Sequence, residues 1–148
     1  MHKAVIFDID GTLADSRYRL QYIEQQPKQW DKFFAESLKD RYIPAVYNEY
    51  KKHKKAGNKI MILTGRPEVQ RTITEEWLYK KDIRYDELYM CPNKLTNTPQ
   101  HEVKEAVILS LILQYKLIAA YDDNELMKPI YNRLNIPFFL VHNNKIKE

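Results

Sequence analysis

The chain has 148 residues, 44% of them apolar and 30% charged, which is room for one sizeable core and excludes a disordered or low-complexity protein. Its net charge of +4 is a mild excess that suits an anionic partner without demanding nucleic acid. No run approaches the roughly 18 apolar residues of a membrane span, no signal-peptide pattern opens the chain, and Cys91 is a lone cysteine, so a cytoplasmic protein without membrane association is expected.

Lys3–Phe7 is a short apolar run with polar flanks and reads as a buried strand. Residues 15–42 break the pattern with a helical insert that includes Trp30-Asp31-Lys32-Phe33-Phe34. These aromatic residues are expected to pack the insert onto the core, base stacking being the other reading. A helix over 45–56 carries Val46, Tyr47 and Tyr50 inward, ends in the basic run Lys51-Lys52-His53-Lys54-Lys55 and stops at Gly57. The basic run complements the helix dipole on a solvated face, far from any site at the opposite strand ends.

A second strand, 59–63, leads through Thr64-Gly65-Arg66-Pro67 to a helix over 69–81 with Ile73, Trp77 and Leu78 on one stripe. Thr64 could serve there as a plain helix cap. Next come a strand at 87–91, ending in a buried and inert Cys91, and a helix over 102–115. That helix is apolar around most of its surface and is expected to be the most buried. A strand at 117–121, a helix over 125–134 and a strand at 138–141 complete the series. The alternation predicts a single α/β domain over 1–148, three-layered, with a five-stranded parallel sheet and a small helical insert.

Three segments carry chemistry. Phe7-Asp8-Ile9-Asp10-Gly11-Thr12-Leu13 follows the first strand directly, where ligands bind in open α/β sheets, and can turn both carboxylates toward one point. An Asx turn with a solvated second acid is the bland alternative. Lys104 lies in the first turn of its helix, and Asp122-Asp123-Asn124 follows the fourth strand, where paired acids can hold a hard cation or cap a helix. The order acid-x-acid, Thr, Lys, acid-acid, each at a strand end or helix start, resembles the four motifs of the haloacid dehalogenase superfamily over nearly the whole chain. A receiver domain uses similar residues in a different order.

The resemblance implies a Rossmann-like phosphatase fold, nearly capless because little chain separates the motifs. Asp8 would be the nucleophile and Asp10 the general acid and base, protonated at first. Thr64 and Lys104 would bind phosphoryl oxygens. Asp8, Asp10 through its carbonyl, Asp122 and Asp123 would hold the metal. The second acid favours phosphate over carbon–halogen chemistry. Like charges 4 Å apart repel by about 4 kcal/mol at an effective dielectric near 20, so four converging acids and a phosphate call for a divalent cation, and oxygen donors suit Mg²⁺. No His/Cys set has zinc spacing.

A narrower resemblance rests on residues 4–14, Thr64-Gly65-Arg66, Glu102-Val103-Lys104-Glu105 and Asp122-Asp123, which look like the phosphatase domain of phage-type polynucleotide kinase/3′-phosphatase. It implies removal of 3′-phosphates from nucleic-acid ends, with Gly65 and Arg66 beside Thr64 at the phosphate. No G-x-x-x-x-G-K-[ST] loop occurs, so no kinase half is expected. Arg17, Arg19, Lys94 and His101 are the further candidates for substrate contact. The partner is thus a phosphorylated substrate, a nucleic-acid end or a nucleotide. A nucleotidase or small-molecule phosphatase is the second enzyme reading, and a non-catalytic phosphate-binding module the third. Nothing in the sequence sets the oligomeric state.

Overall fold

The computed structural model describes residues 1–147. β1 (Lys3–Phe7) lies at the centre of a six-stranded sheet, and its side chains alternate between two cores. Val5 and Phe7 join Ile60, Ile62 and Trp77 on one face; Ala4 and Ile6 join Met61, Leu63 and Ile108 on the other. Burial of both faces is why the strands read as unbroken apolar runs.

After β1 the chain enters a turn and then a two-residue strand, β2 (Ala14–Asp15). The insert follows as a 3₁₀ turn (Arg17–Leu20), α1 (Gln21–Glu24), α2 (Trp30–Ala35), a second 3₁₀ turn (Glu36–Lys39) and β3 (Arg41–Tyr42). β3 pairs antiparallel with β2, Ala14 opposite Tyr42 and Asp15 opposite Arg41, so a ribbon closes the insert at its base. Trp77 Nε1 donates to the carbonyl of Asp40 at 2.9 Å and pins the insert to the helical layer.

The remaining elements are α3 (Pro44–Lys55), β4 (Lys59–Pro67), α4 (Arg71–Lys80), β5 (Glu87–Cys91), α5 (Gln100–Leu111), β6 (Lys116–Asp122), α6 (Lys128–Arg133), β7 (Phe138–His142) and β8 (Lys145–Ile146). The strand order is β5-β4-β1-β6-β7-β8. The expected five strands are parallel; β8 is an added antiparallel edge on β7, too short to register as a strand in the sequence. All five parallel strands end on one edge, and β1 stays level with its neighbours there, Phe7 pairing with Ile62 and Tyr121.

Several boundaries differ from expectation for physical reasons. β4 runs on through Thr64-Gly65-Arg66 to Pro67, so Thr64 is a strand residue and caps no helix. The helix expected over 125–134 is a 3₁₀ turn followed by α6, with Pro129 in its first turn, where a missing N–H costs nothing. α5 is not the most buried helix: only Lys104, Ile108 and Leu111 are buried, while Leu109 is 46% exposed. Only one stripe of α5 meets the sheet, and the largest fully buried side chain, Trp77, belongs to α4. Trp30, Phe33 and Phe34 pack on one another, with centroids 5.3–6.0 Å apart, and join neither core. Among the described residues no helix is long and apolar enough to cross a membrane.

Candidate active site

The turn after β1 is held by Thr12 N and Ala14 N donating to the carbonyl of Ile9, and by Gly11 N donating to Ala14 O. Gly11 has φ +79°, and a Cβ there would lie 2.1 Å from Asp123 Oδ2, so glycine is needed both for the turn and for the neighbouring carboxylate. Asp8 extends the pairing of β1 with β6, its N–H donating to Tyr121 O, which sets its carboxyl beside Asp122 at the end of β6.

Lys104 joins the two acids. Its Nζ donates to Asp8 Oδ1 at 3.1 Å and to Asp122 Oδ2 at 2.7 Å, and the Thr12 hydroxyl donates to Asp8 Oδ2 at 3.0 Å. Asp8, Thr12, Lys104 and Asp122 are all buried. Asp122 Oδ1 accepts from Asn124 N, and Asn124 in turn caps the following turn, accepting from Leu126 N.

A second group centres on Asp10. Arg66 Nε and Nη2 grip its two oxygens at 2.9 and 2.8 Å, and Arg19 Nη2 adds a third contact at 2.9 Å. Arg19 also forks onto Asp40, Nε and Nη2 at 2.8 Å each, and donates Nη1 to Phe33 O. The Arg66 Nη1 donates to Thr74. Thr64 Oγ1, buried at the end of β4, accepts from Arg66 N and so fixes the loop that carries the guanidinium. The Gly65 backbone lies under the amide of Gln100, which a Cβ would meet at 2.3 Å.

Five carboxylates (Asp8, Asp10, Asp40, Asp122, Asp123) thus face three cations (Arg19, Arg66, Lys104), leaving two negative charges uncompensated. Burial, then repulsion from Asp122, drives the Asp8 carboxyl well above the ordinary carboxylate range, against the pull of Lys104. Burial and Asp122 likewise push Asp123 up to about 6. Burial would lower the Lys104 ammonium, but Asp8 and Asp122 reverse that and raise it. The donor oxygens of Asp8, Asp122 and Asp123 lie within 4.8 Å of one another. Hard oxygen donors with a two-charge deficit fit a divalent cation, and the raised carboxyl groups mark the repulsion that such an ion relieves.

Two expectations need correction. Asp10 is not held protonated here: burial raises its carboxyl, but the guanidinium groups of Arg66 and Arg19 outweigh burial and keep it below the ordinary range. Arg19 does not face solvent as a substrate contact, because every guanidinium nitrogen is already bonded to Asp10, Asp40 or Phe33. Arg17 is exposed and paired with Asp15, and no bond brings Lys94 or His101 to a site carboxylate among the described residues. Sequence reasoning missed Thr12, Thr74, Gln100 and Asp40. Thr12 was within reach, one residue past Gly11 in the acid turn; Asp40 sits in the insert with no spacing that ties it to the site.

A profile of the haloacid dehalogenase superfamily, subfamily IIIB (acid phosphatase), matches residues 1–126. The chain belongs to this superfamily. Among solved structures, this haloacid dehalogenase domain is similar to a chain of the Pnkp1/Rnl/Hen1 complex at 30% identity and TM-score 0.78, over 95% of its own length and 46% of that chain. A chain of the Pnkp1/Rnl/Hen1 RNA repair complex matches at 28% identity and TM-score 0.75, over 95% and 42%. The domain therefore spans less than half the length of either. A haloacid dehalogenase-like hydrolase from Streptococcus pneumoniae shares the fold alone, at 12% identity and TM-score 0.65 over 93% of this chain and 83% of that one. A search of curated sequences found no relative. The family match makes this domain a hydrolase of phosphate monoesters.

Proposed function

We propose that this phosphatase works through an aspartyl-phosphate on Asp8, with Mg²⁺, and removes 3′-phosphates from polynucleotide ends. The observation that carries the chemistry is the buried Asp8–Lys104–Asp122 bridge at adjoining strand ends. Lys104 and Thr12 hold the Asp8 carboxylate in one orientation for in-line attack on phosphorus. Asp8, Asp122, Asp123 and the carbonyl of Asp10 would hold Mg²⁺, which supplies charge neutralisation for nucleophile and phosphoryl group when bound.

Thr64, the Gly65 backbone and Arg66 line the opposite wall and receive the phosphoryl oxygens. Asp10, ionised in the arginine grip, first has to take up a proton from solvent as the guanidinium of Arg66 turns from it to the incoming phosphate, a competition that the bidentate grip makes steep; it then passes that proton to the leaving oxygen. The bond from phosphorus to the leaving oxygen breaks as the bond to Asp8 forms. Water then attacks the aspartyl-phosphate, gives its proton to Asp10, and inorganic phosphate leaves.

The 3′-end assignment is supported by likeness to the RNA repair complex chain at 28% identity and by the motif resemblance. The acid phosphatase subfamily match favours a second reading, a nucleotidase or small-molecule phosphatase. Comparing kcat/KM on a 3′-phosphorylated oligonucleotide with that on mononucleotides separates them: the oligonucleotide should be preferred at least tenfold, and a preference for mononucleotides replaces the first reading by the second.

A further inference from the structure

The β2–β3 ribbon and the two 3₁₀ turns of the insert form a cleft of about 520 Å³ lined by Asp15, Arg17, Tyr18, Lys39 and Arg41. The chain links this cleft to Asp10. Asp15 follows Ala14, which forms an isolated bridge with Asp10, and Arg19, the residue after Tyr18, donates to Asp10.

The lining holds three cations and one carboxylate. Arg17 chelates Asp15, both contacts at 2.9 Å, which cancels that pair. Lys39 reaches outward to Glu36 and stays 73% exposed. Arg41 is exposed, with no carboxylate within 4 Å among the described residues. Asn144 donates to Asp15 at 3.0 Å and brings the β7–β8 turn against the cleft, followed by exposed Lys145 and Lys147. The Tyr18 hydroxyl is tied to the carbonyl of Glu36 while the residue remains 41% exposed, which holds the ring in a fixed position.

A lone phosphomonoester fills only the reaction centre. Lys39 and Arg41 in one cleft with the anchored Tyr18 ring suit a substrate that carries more negative charge and a planar group beyond its terminal phosphate. We infer that this cleft binds the last phosphodiesters and base of a single-stranded polynucleotide whose 3′-phosphate lies at Asp8. The inference rests on the 3′-phosphatase reading for its orientation and on the cleft for its existence.

The test uses the Lys39→Ala/Arg41→Ala variant, both side chains being exposed. Binding of a fluorescent 3′-hydroxyl 12-mer RNA is followed by anisotropy across a salt series, and hydrolysis is compared between a 3′-phosphorylated 12-mer and a nucleoside 3′-monophosphate. The variant should bind the 12-mer at least tenfold more weakly at low salt, and its log–log salt slope should fall by about 1.4, two single-strand contacts at about 0.7 each. Its loss of kcat/KM on the 12-mer should exceed its loss on the mononucleotide at least tenfold. Unchanged 12-mer binding, no binding by the parent protein, or equal losses on both substrates overturns the inference. If the parent prefers the mononucleotide while the variant still loses 12-mer binding, the cleft stands and the 3′-phosphatase reading falls.

Discussion

Two regions of this molecule are rich in positive charge and share nothing else. At the carboxyl ends of the strands, Arg19, Arg66 and Lys104 are buried, and each lies against two carboxylates. At the opposite edge, the C-terminal end of α3 carries Lys51, Lys52, Lys54 and Lys55 in solvent, where Lys52 makes a long contact to Glu49 at 3.4 Å and Lys51 lies over the Tyr47 ring. Two residues past Gly57 the chain enters β4 at Lys59, level with Ala4 at the start of β1, which fixes the lysines to the remote edge. Density of basic residues says little about function; position relative to the strand ends says most of it. A buried cation is conditional on its acids, and the acids on it, whereas an exposed lysine costs nothing to keep or to lose.

The sharpest way to break the contrast is at the acids. Asp8→Asn should leave no turnover of a chromogenic phosphomonoester above background, and EDTA should do the same until Mg²⁺ is restored; full activity in either case removes the proposed chemistry. Next comes Arg19→Ala, which leaves Asp40 fully buried without its fork. Loss of one partner of a buried pair costs about 3–5 kcal/mol, and at about 2–4 °C per kcal/mol the melting temperature should fall by roughly 10 °C. A fall under about 2 °C would show that the network is not a structural unit.

Gly11→Ala should act more locally. Left-handed backbone costs an L-residue about 1–2 kcal/mol, and the methyl displaces Asp123, so the Mg²⁺ concentration giving half-maximal activity should rise severalfold. An unchanged Mg²⁺ titration would remove Asp123 from the metal site. The smallest effect belongs to the remote edge: replacing Lys51, Lys52, Lys54 and Lys55 with Ala should leave kcat/KM within twofold and stability within about 0.5 kcal/mol per site, as for other exposed substitutions. A tenfold loss on oligonucleotides would move the polynucleotide track to α3.

The difference between the edges also explains what could be read from sequence. Strands buried on both faces announce themselves as apolar runs, and Asp8, Thr64, Lys104 and Asp122 each sit at the end of such a run or the start of a helix, so the candidate site was legible in the motif order. The insert has no such grammar. Its helices are four and six residues long, without a buried position, and its deep anchors are the Arg19–Asp40 pair, 21 positions apart, and the Asp40 carbonyl on Trp77. No periodicity links Arg19 to Asp40, and each alone reads as a surface charge. The extension of β4 through Gly65 and Arg66 was equally hidden, because a Thr-Gly-Arg-Pro string has the composition of a turn.

The double anchoring of Asp40 bears on the pace of turnover. Its side chain ties the insert to the catalytic loop through Arg19 and its carbonyl ties it to Trp77 of α4, so the insert moves with the sheet and cannot swing as a flap. In the proposed 3′-phosphatase reaction, departure of the products would then require no unlatching step, and the rim at Asp10, Gly11 and Asp123 is not fully buried.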